Sequence, residues 1–416
     1  MVEHGDTARA PDVRLIRALV CLMFLMFAMT SDAVGTVIAS VIAEFRLSMK
    51  AAGAFHYVPM IAIAVGAVML GSVADRLGRR QSILAGLALY GVGSLLFAFG
   101  RSFAFFVGLL ALSGVGISLF KIGGLALLGD ASNSQTTHSR LMNAVEGFFA
   151  VGSIIGPALV ALLLGHGMGW KWLYVAAAAI CVALIPLADR VNVPAPREAR
   201  ASVDLQSTLQ ILKDPYALGF ATLISLYVAT EVAVYVWMPT YLKSYEGPAR
   251  WLSLYGLTLF FMLRACGRFL GVWLLARVHW SAALALAGTG IFLCFAAASF
   301  GDVRTAVWAL PLSGLPMSLV YPTLNSKGIS GFPKSQHGAA AGVLLFFTAM
   351  AAALAPLAMA AVSDAYGNVR FGFWLASGFA LCLCAALLYN WLAEPARIRL
   401  ASLDESEHGL AATPDP

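Results

Sequence analysis

The sequence predicts an all-α integral membrane protein, with twelve transmembrane helices arranged as two pseudo-symmetric six-helix bundles. Three observations lead there. Of the 416 residues, 60% are hydrophobic and only 12% are charged, against about 25% charged in ordinary soluble domains. The apolar residues gather in runs of about 18 residues or more, the length that carries a helix across hydrocarbon. Features of the first half also return in the second after about 199 to 200 positions, the mark of a duplicated helical unit.

The runs lie at about 16–43, 51–74, 81–100, 103–129, 140–164, 171–188, 215–242, 251–276, 281–300, 303–326, 338–363 and 370–393. The first could be a secretory signal, but it continues past Asp32 to Ile42 with no small-residue cleavage site, so it is assigned as a retained helix. Residues 1–15 and 394–416 are polar tails, and the polar connection at 189–214 separates the bundles 16–188 and 215–393. About 16 Lys and Arg fall in the tails and connections of one side and about 8 on the other, which predicts that both termini are cytoplasmic and the membrane is an inner, plasma membrane. The net charge of +6 follows from that bias and is no footprint for nucleic acid. The six cysteines all lie inside apolar runs without metal-ligand or CxxC spacing, and read as packing residues.

The repeat places Ser31-Asp32 on Thr230-Glu231, Gly114-x-x-x-Ser118-Leu119 on Gly314-x-x-x-Ser318-Leu319, Gly71 on Gly271, and Gly156-Pro157 on Ala355-Pro356. Each pair falls in helices of corresponding rank. Six ionisable residues stand well inside predicted spans: Asp32, Lys121, Glu146, Glu231, Arg264 and Arg268. Each costs roughly 2.5–3.5 kcal/mol or more if it faces lipid, so each must face the interior and find partners there. Asp32 stands beside Thr30, Ser31 and Thr36, and a carboxylate so placed can take a proton from one side and release it to the other. Its competing reading is a structural partner for Lys121 or an arginine. Lys121 and Glu146, on consecutive helices, could pair or act separately. Arg264 and Arg268 are four apart, hence on one helix face, where they could grip a carboxylate or phosphate or merely neutralise Glu231. Tyr227, Tyr235 and Trp237 follow helical spacings around Glu231. Tyr321-Pro322 and Asn325 mark a proline-broken helix of the kind that lines a cavity, and a lone His56 reads as a packing residue.

Between the second and third runs stands Gly71-Ser-Val-Ala-Asp75-Arg76-Leu-Gly78-Arg79-Arg80. The spacing of its glycine, acid and arginines resembles the helix 2–3 signature of the major facilitator superfamily of secondary transporters. Within that superfamily, Leu226 to Glu231, Gly267-Arg268-x-x-Gly271-x-Trp273-Leu274-x-x-Arg277, Ser318-x-x-Tyr321-Pro322-Thr323 and Ser363-Asp364-Ala365-x-Gly367-Asn368 resemble the fucose permease branch of sugar to proton symporters. The resemblance implies the major facilitator fold, proton coupling at Asp32, and a cavity-facing position for Glu146. Two positions depart from the branch: Leu119 stands where it has a glutamate and Phe149 where it has an asparagine. Helix 5 also carries Gly152-x-x-x-Gly156-Pro157, similar to the antiporter signature of drug exporters, but with Val160-Ala161 in place of its closing glycines.

The expected function is proton-coupled, alternating-access transport of a small polar, sugar-like solute, with a carrier or antiporter for organic anions or drugs as the alternative. Asp32 and Glu146 are the expected proton-coupling residues. Glu231, Arg264, Arg268, Lys121, Tyr235, Trp237, Tyr321 and Asn325 are the expected substrate contacts, and Gly71, Asp75, Arg76, Gly78, Arg79 and Arg80 the expected cytoplasmic gate. No P-loop, G-x-S-x-G or H-E-x-x-H motif is present, so an enzyme is not expected. Neither is a cofactor beyond the proton gradient, a metal, a nucleic-acid partner, or an assembly larger than a monomer.

Overall fold

Hydrocarbon offers nothing to an open peptide group, so a chain this apolar must satisfy its backbone within helices. The computed structural model describes residues 13–70, 76–131, 135–191, 210–333, 336–397 and 399–400. Twelve long helical segments follow one another there: α1 (Val13–Phe45), α2 (Met49–Gly66), α3 (Arg79–Leu96), α4 (Phe103–Asp130), α5 (Gln135–Gly165) and α6 (Trp172–Arg190), then α7 (Pro215–Leu242), α8 (Trp251–Leu275), α9 (Trp280–Phe300), α10 (Val303–Ser330), α11 (His337–Ala365) and α12 (Val369–Ala393). All but α3 contain a stretch long and apolar enough to cross a membrane. α3 falls short because it opens on Arg79, Arg80 and Gln81 and ends at Leu96, where Phe97, Ala98 and Phe99 close a tighter turn. The span expected over 81–100 therefore starts and stops a few residues early.

Side chains at the helix starts explain several of these boundaries. Ser102, Asp214, Asp302 and Asn368 accept backbone N–H groups at the starts of α4, α7, α10 and α12, supplying acceptors for donors that the helix itself leaves open. The Thr305 amide also holds the Asp302 carboxyl below the usual carboxylate range. Pro215 follows Asp214 at the first helical position, where its missing N–H costs nothing.

The chain forms two compact units, one of Met1–Val37 with Ala54–Ala199, the other of Ile38–Gly53 with Arg200–Pro416. Within the first, α5 lies directly on the α1 backbone. A Cβ on Gly152 would strike the Leu25 carbonyl, and one on Gly156 the Met29 carbonyl. Close approach of this kind is what small residues provide between membrane helices. α2 and α4 meet in the same way, since a Cβ on Gly114 would meet the Pro59 carbonyl and one on Gly66 the Ser118 side chain. The second unit repeats that contact between α8 and α10: Gly314 faces the Phe260 carbonyl and Gly267 faces Ser318. The two serines even make the same bond, Ser118 Oγ donating to the Val115 carbonyl and Ser318 Oγ to the Leu315 carbonyl, each at 2.8 Å. The duplication seen in the sequence is thus a duplication of packing.

The second unit also holds the end of α1 and the start of α2. There the Asp364 carboxylate at the end of α11 accepts the amides of Met49 and Lys50, both at 2.8 Å. Beyond α12, Arg399 binds Asp214 through both carboxylate oxygens at 2.9 Å, donates to the Gly331 carbonyl, and lies over the rings of Tyr216 and Phe332. The first residues of the predicted C-terminal tail are therefore docked on the unit.

The α1–α5 contact yields a test. Gly156→Val should lower the melting temperature of the purified protein by an amount equivalent to roughly 1–3 kcal/mol or more of overpacking. Gly147→Ala in the same helix, where nothing lies within 4 Å of an added Cβ, should leave it nearly unchanged.

Candidate functional site

Each unit carries its own group of intramembrane charges. In the first, α1 is interrupted at Asp32 and Ala33, between the helical stretches Val13–Ser31 and Val34–Phe45. Asp32 stands at that interruption. Its Oδ1 accepts from Ser31 Oγ at 3.0 Å and its Oδ2 from Ser153 Oγ at 2.5 Å. Ser153 lies between Gly152 and Gly156, so the glycines that bring α5 onto α1 also deliver the hydroxyl to the carboxylate. Sequence reasoning missed Ser153, because a serine among glycines reads as packing. The signal was there in its position inside the helix 5 glycine motif.

Lys121 of α4 places its ammonium 4.5 Å from the centre of the Phe27 ring and 5.5 Å from that of Phe24. It forms no ion pair with Glu146 among the described residues, although the charges of Glu146 and Asp32 both act on it. Glu146 is exposed on α5. Beside Ser31, the first unit contains a cavity of about 30 Å³ lined by Thr30, Ser31, His56, Tyr90 and Ser113 among apolar residues. Thr30 Oγ1 and Tyr90 Oη are 2.7 Å apart in its wall. The space and the polar lining suit one or two waters next to the Asp32 segment.

In the second unit, Glu231 of α7 is buried and its Oε1 lies 2.6 Å from an Arg264 terminal nitrogen of α8. The contact is chiefly one of charge, because its angles are not those of a hydrogen bond. Tyr227, one turn before Glu231, donates to the Met317 carbonyl at 3.0 Å, packs its ring 6.2 Å from that of Tyr321, and feels the charges of Glu231, Arg264 and Arg268. Glu231, Arg264, Arg268 and Tyr321 thus come together around Tyr227. Asn325 is half-buried a turn beyond Tyr321 and takes no part in that cluster.

Tyr235 and Trp237 sit in a widened π-helical turn, Ala233–Trp237. Its cause is Pro239, which has no amide to return to the carbonyl four residues back. Tyr235 stays half-buried, whereas Trp237 is fully buried and donates its indole N–H to the Pro356 carbonyl of α11 at 3.0 Å. That geometry gives Trp237 a packing role between α7 and α11.

The profile of the Major Facilitator Superfamily matches residues 20–356. The chain belongs to that superfamily. It is accordingly a multi-pass membrane protein of a family of transporters, which are not enzymes. It is 25% identical over 178 residues to a gentisate transporter of Corynebacterium glutamicum, covering 41% of this chain and 39% of that protein. It is 29% identical over 170 residues to a gallate transporter of Pseudomonas putida, covering 41% and 37%. The matches thus span less than half the length of these relatives. Among solved structures, the nucleoside transporter NupG superposes with a TM-score of 0.72 at 14% identity, covering 90% of this chain and 98% of that one. The Escherichia coli fucose:proton symporter FucP superposes at 0.59 with 20% identity, covering 92% and 98%. The fold expected from the resemblance to the fucose permease branch is therefore present in this facilitator.

Of the superfamily's helix 2–3 signature, Gly71 and Asp75 lie outside the described residues. Gly78 has φ +81°, a conformation that side chains resist, so only glycine starts α3 there without strain. Arg79 pairs with Asp130 at the end of α4 at 3.2 Å, and Arg80 with Asp189 at the end of α6. These arginines tie together three helix ends of the first unit.

The Glu231–Arg264 pair can be tested by a mutant cycle. Glu231→Gln or Arg264→Gln alone leaves one buried charge uncompensated and should destabilise the detergent-solubilised transporter by about 3–5 kcal/mol. The double variant should recover much of that loss, as measured by thermal unfolding.

Proposed function

We propose that this facilitator is a secondary transporter that couples protons to the alternating-access movement of a small polar organic solute, and that the solute is an organic anion. The observation that carries the coupling is Asp32, an intramembrane carboxylate at a helix interruption whose two oxygens accept from the hydroxyls of Ser31 and Ser153. Hydroxyls can serve both protonation states, because each can turn from donor to acceptor, whereas an arginine partner would lock the charged form. Protonation of Asp32 would be linked to solute occupancy, with Ser153 holding the carboxyl in place and Glu146 as a second proton-coupling residue on α5.

A second observation favours an anion over the neutral sugar-like solute first expected. Around Tyr227 two arginines accompany one carboxylate. A solute carboxylate would suit these neighbours, with Arg264 and Arg268 offering paired N–H donors. The relatives named for gentisate and gallate support the same class, hydroxylated aromatic acids. Tyr321 and Tyr235 would meet the ring and hydroxyls of such a solute, and Lys121 and Asn325 complete the proposed contact set. Arg76 with Arg79, Arg80 and Asp75 is proposed to act as the cytoplasmic gate. We further assign the protein to the inner membrane with both termini cytoplasmic, acting as a monomer with the proton gradient alone as driving force.

Two transport measurements decide these assignments. In proteoliposomes, Asp32→Asn should abolish uptake driven by a pH gradient while leaving solute exchange in place; undiminished pH-driven uptake would refute the coupling role. Arg268→Gln should weaken uptake of hydroxybenzoates by about tenfold, the effect of losing one charge-assisted bond of about 1.4 kcal/mol. Wild-type protein that carries neutral monosaccharides and ignores these acids would refute the anion.

A further inference from the structure

Away from the residues assigned to transport, the second unit has a cleft of about 610 Å³ at one end of its helices. His279 and Trp280 at the start of α9, Lys327 near the end of α10, Asn390 in the last turn of α12, and Glu394 and Arg397 beyond it line the cleft. Helix ends of this kind mark the boundary between hydrocarbon and water, where tryptophan is at home. Glu394 adopts a left-handed conformation at the end of α12, with φ +41° and ψ 49°, and Arg397 follows it with a 3.3 Å ion pair back to its carboxylate. Lys327 holds its ammonium 5.8 Å from the centre of the Trp280 ring, and His279 Nδ1 lies 2.7 Å from Ser281 Oγ.

Asn390 adds an independent sign of a ligand. It is only 6% exposed, yet its Nδ2 has no hydrogen-bond partner among the described residues. Buried amide donors are nearly always satisfied. Asn390 thus borders the cleft with an amide donor that is buried and unsatisfied, in a lining that also holds an ammonium and a guanidinium. With Glu394 set against Arg397, Lys327 gives the lining one net positive charge. That matches a phosphodiester, which carries a single negative charge. The volume falls in the range of small organic ligands, about 300–1,000 Å³, and exceeds the need of a bare anion.

We propose that this cleft binds the phosphate of an anionic phospholipid headgroup, with Lys327 and Arg397 facing its charge, Asn390 donating to a phosphate oxygen, and Trp280 lying at the acyl-chain boundary. A soluble phosphate ester shares the chemistry, and the test separates the two sources. The purified full-length protein is incubated in detergent with phosphatidylglycerol, phosphatidylcholine, glycerol 1-phosphate or inorganic phosphate. Bound lipid is then counted by native mass spectrometry, and thermal shifts are recorded for all four. Preferential retention of one phosphatidylglycerol, falling about fivefold in Lys327→Gln, as expected for one basic residue near an anionic headgroup, and falling also in Asn390→Ala and Arg397→Gln, supports the lipid. A thermal shift from glycerol 1-phosphate that the same variants abolish, without lipid retention, supports the site but assigns it a soluble phosphate ester. Arg397 is largely exposed, so its variant tests the charge without threatening the fold. Equal retention of phosphatidylcholine, or binding that all three variants leave unchanged, would overturn the proposal.

Discussion

Hydrocarbon does not tolerate a solitary charge, and this constraint arranges the interior of the protein. Several ionisable groups within the spans have a neighbour suited to them. Glu231 has Arg264 across the α7–α8 boundary, Lys121 has the faces of two phenylalanines, and Asp32 has two serine hydroxyls. The three solutions differ in consequence. An ion pair fixes both charges, and an aromatic face accepts a cation without neutralising it. Hydroxyls can bond to a carboxylate in either protonation state.

Glycine makes those neighbourhoods reachable. Gly152 and Gly156 set α5 against carbonyls of α1, and only at that separation can Ser153 reach Asp32. The same economy appears twice more where Gly114 and Gly314 seat α4 on α2 and α10 on α8. Because membrane helices gain little from hiding apolar surface against one another, close backbone approach and the contacts it permits carry much of the association.

The sequence makes the number of helices, the internal repeat and the identity of the buried charges plain, since each depends only on hydropathy and spacing. Partner choice within the charged set is less legible. Arg264 and Arg268 occupy one face a turn apart, and which of them meets Glu231 depends on the relative height of α7 and α8, which no local pattern encodes. Lys121 shows another limit. Its aromatic neighbours come from α1, and a phenylalanine in a membrane helix is too common to announce a cation site. Trp237 was grouped with Tyr235 on helical spacing, yet the π turn shifts the register between them. One faces partly outward and the other enters the core.

That turn has a further consequence. A π turn holds one residue more than the α-helical turn it replaces, so everything beyond Trp237 is rotated by about 100° relative to a regular continuation of α7. Met238, Pro239, Tyr241 and Leu242 take their buried positions with this surplus residue in place. Evolutionary loss of one residue between Ala233 and Trp237 would leave composition and hydropathy almost untouched while turning the outer end of the helix a quarter circle, carrying the indole away from the Pro356 carbonyl. In this stretch the length of the chain binds the fold as firmly as the identity of any side chain.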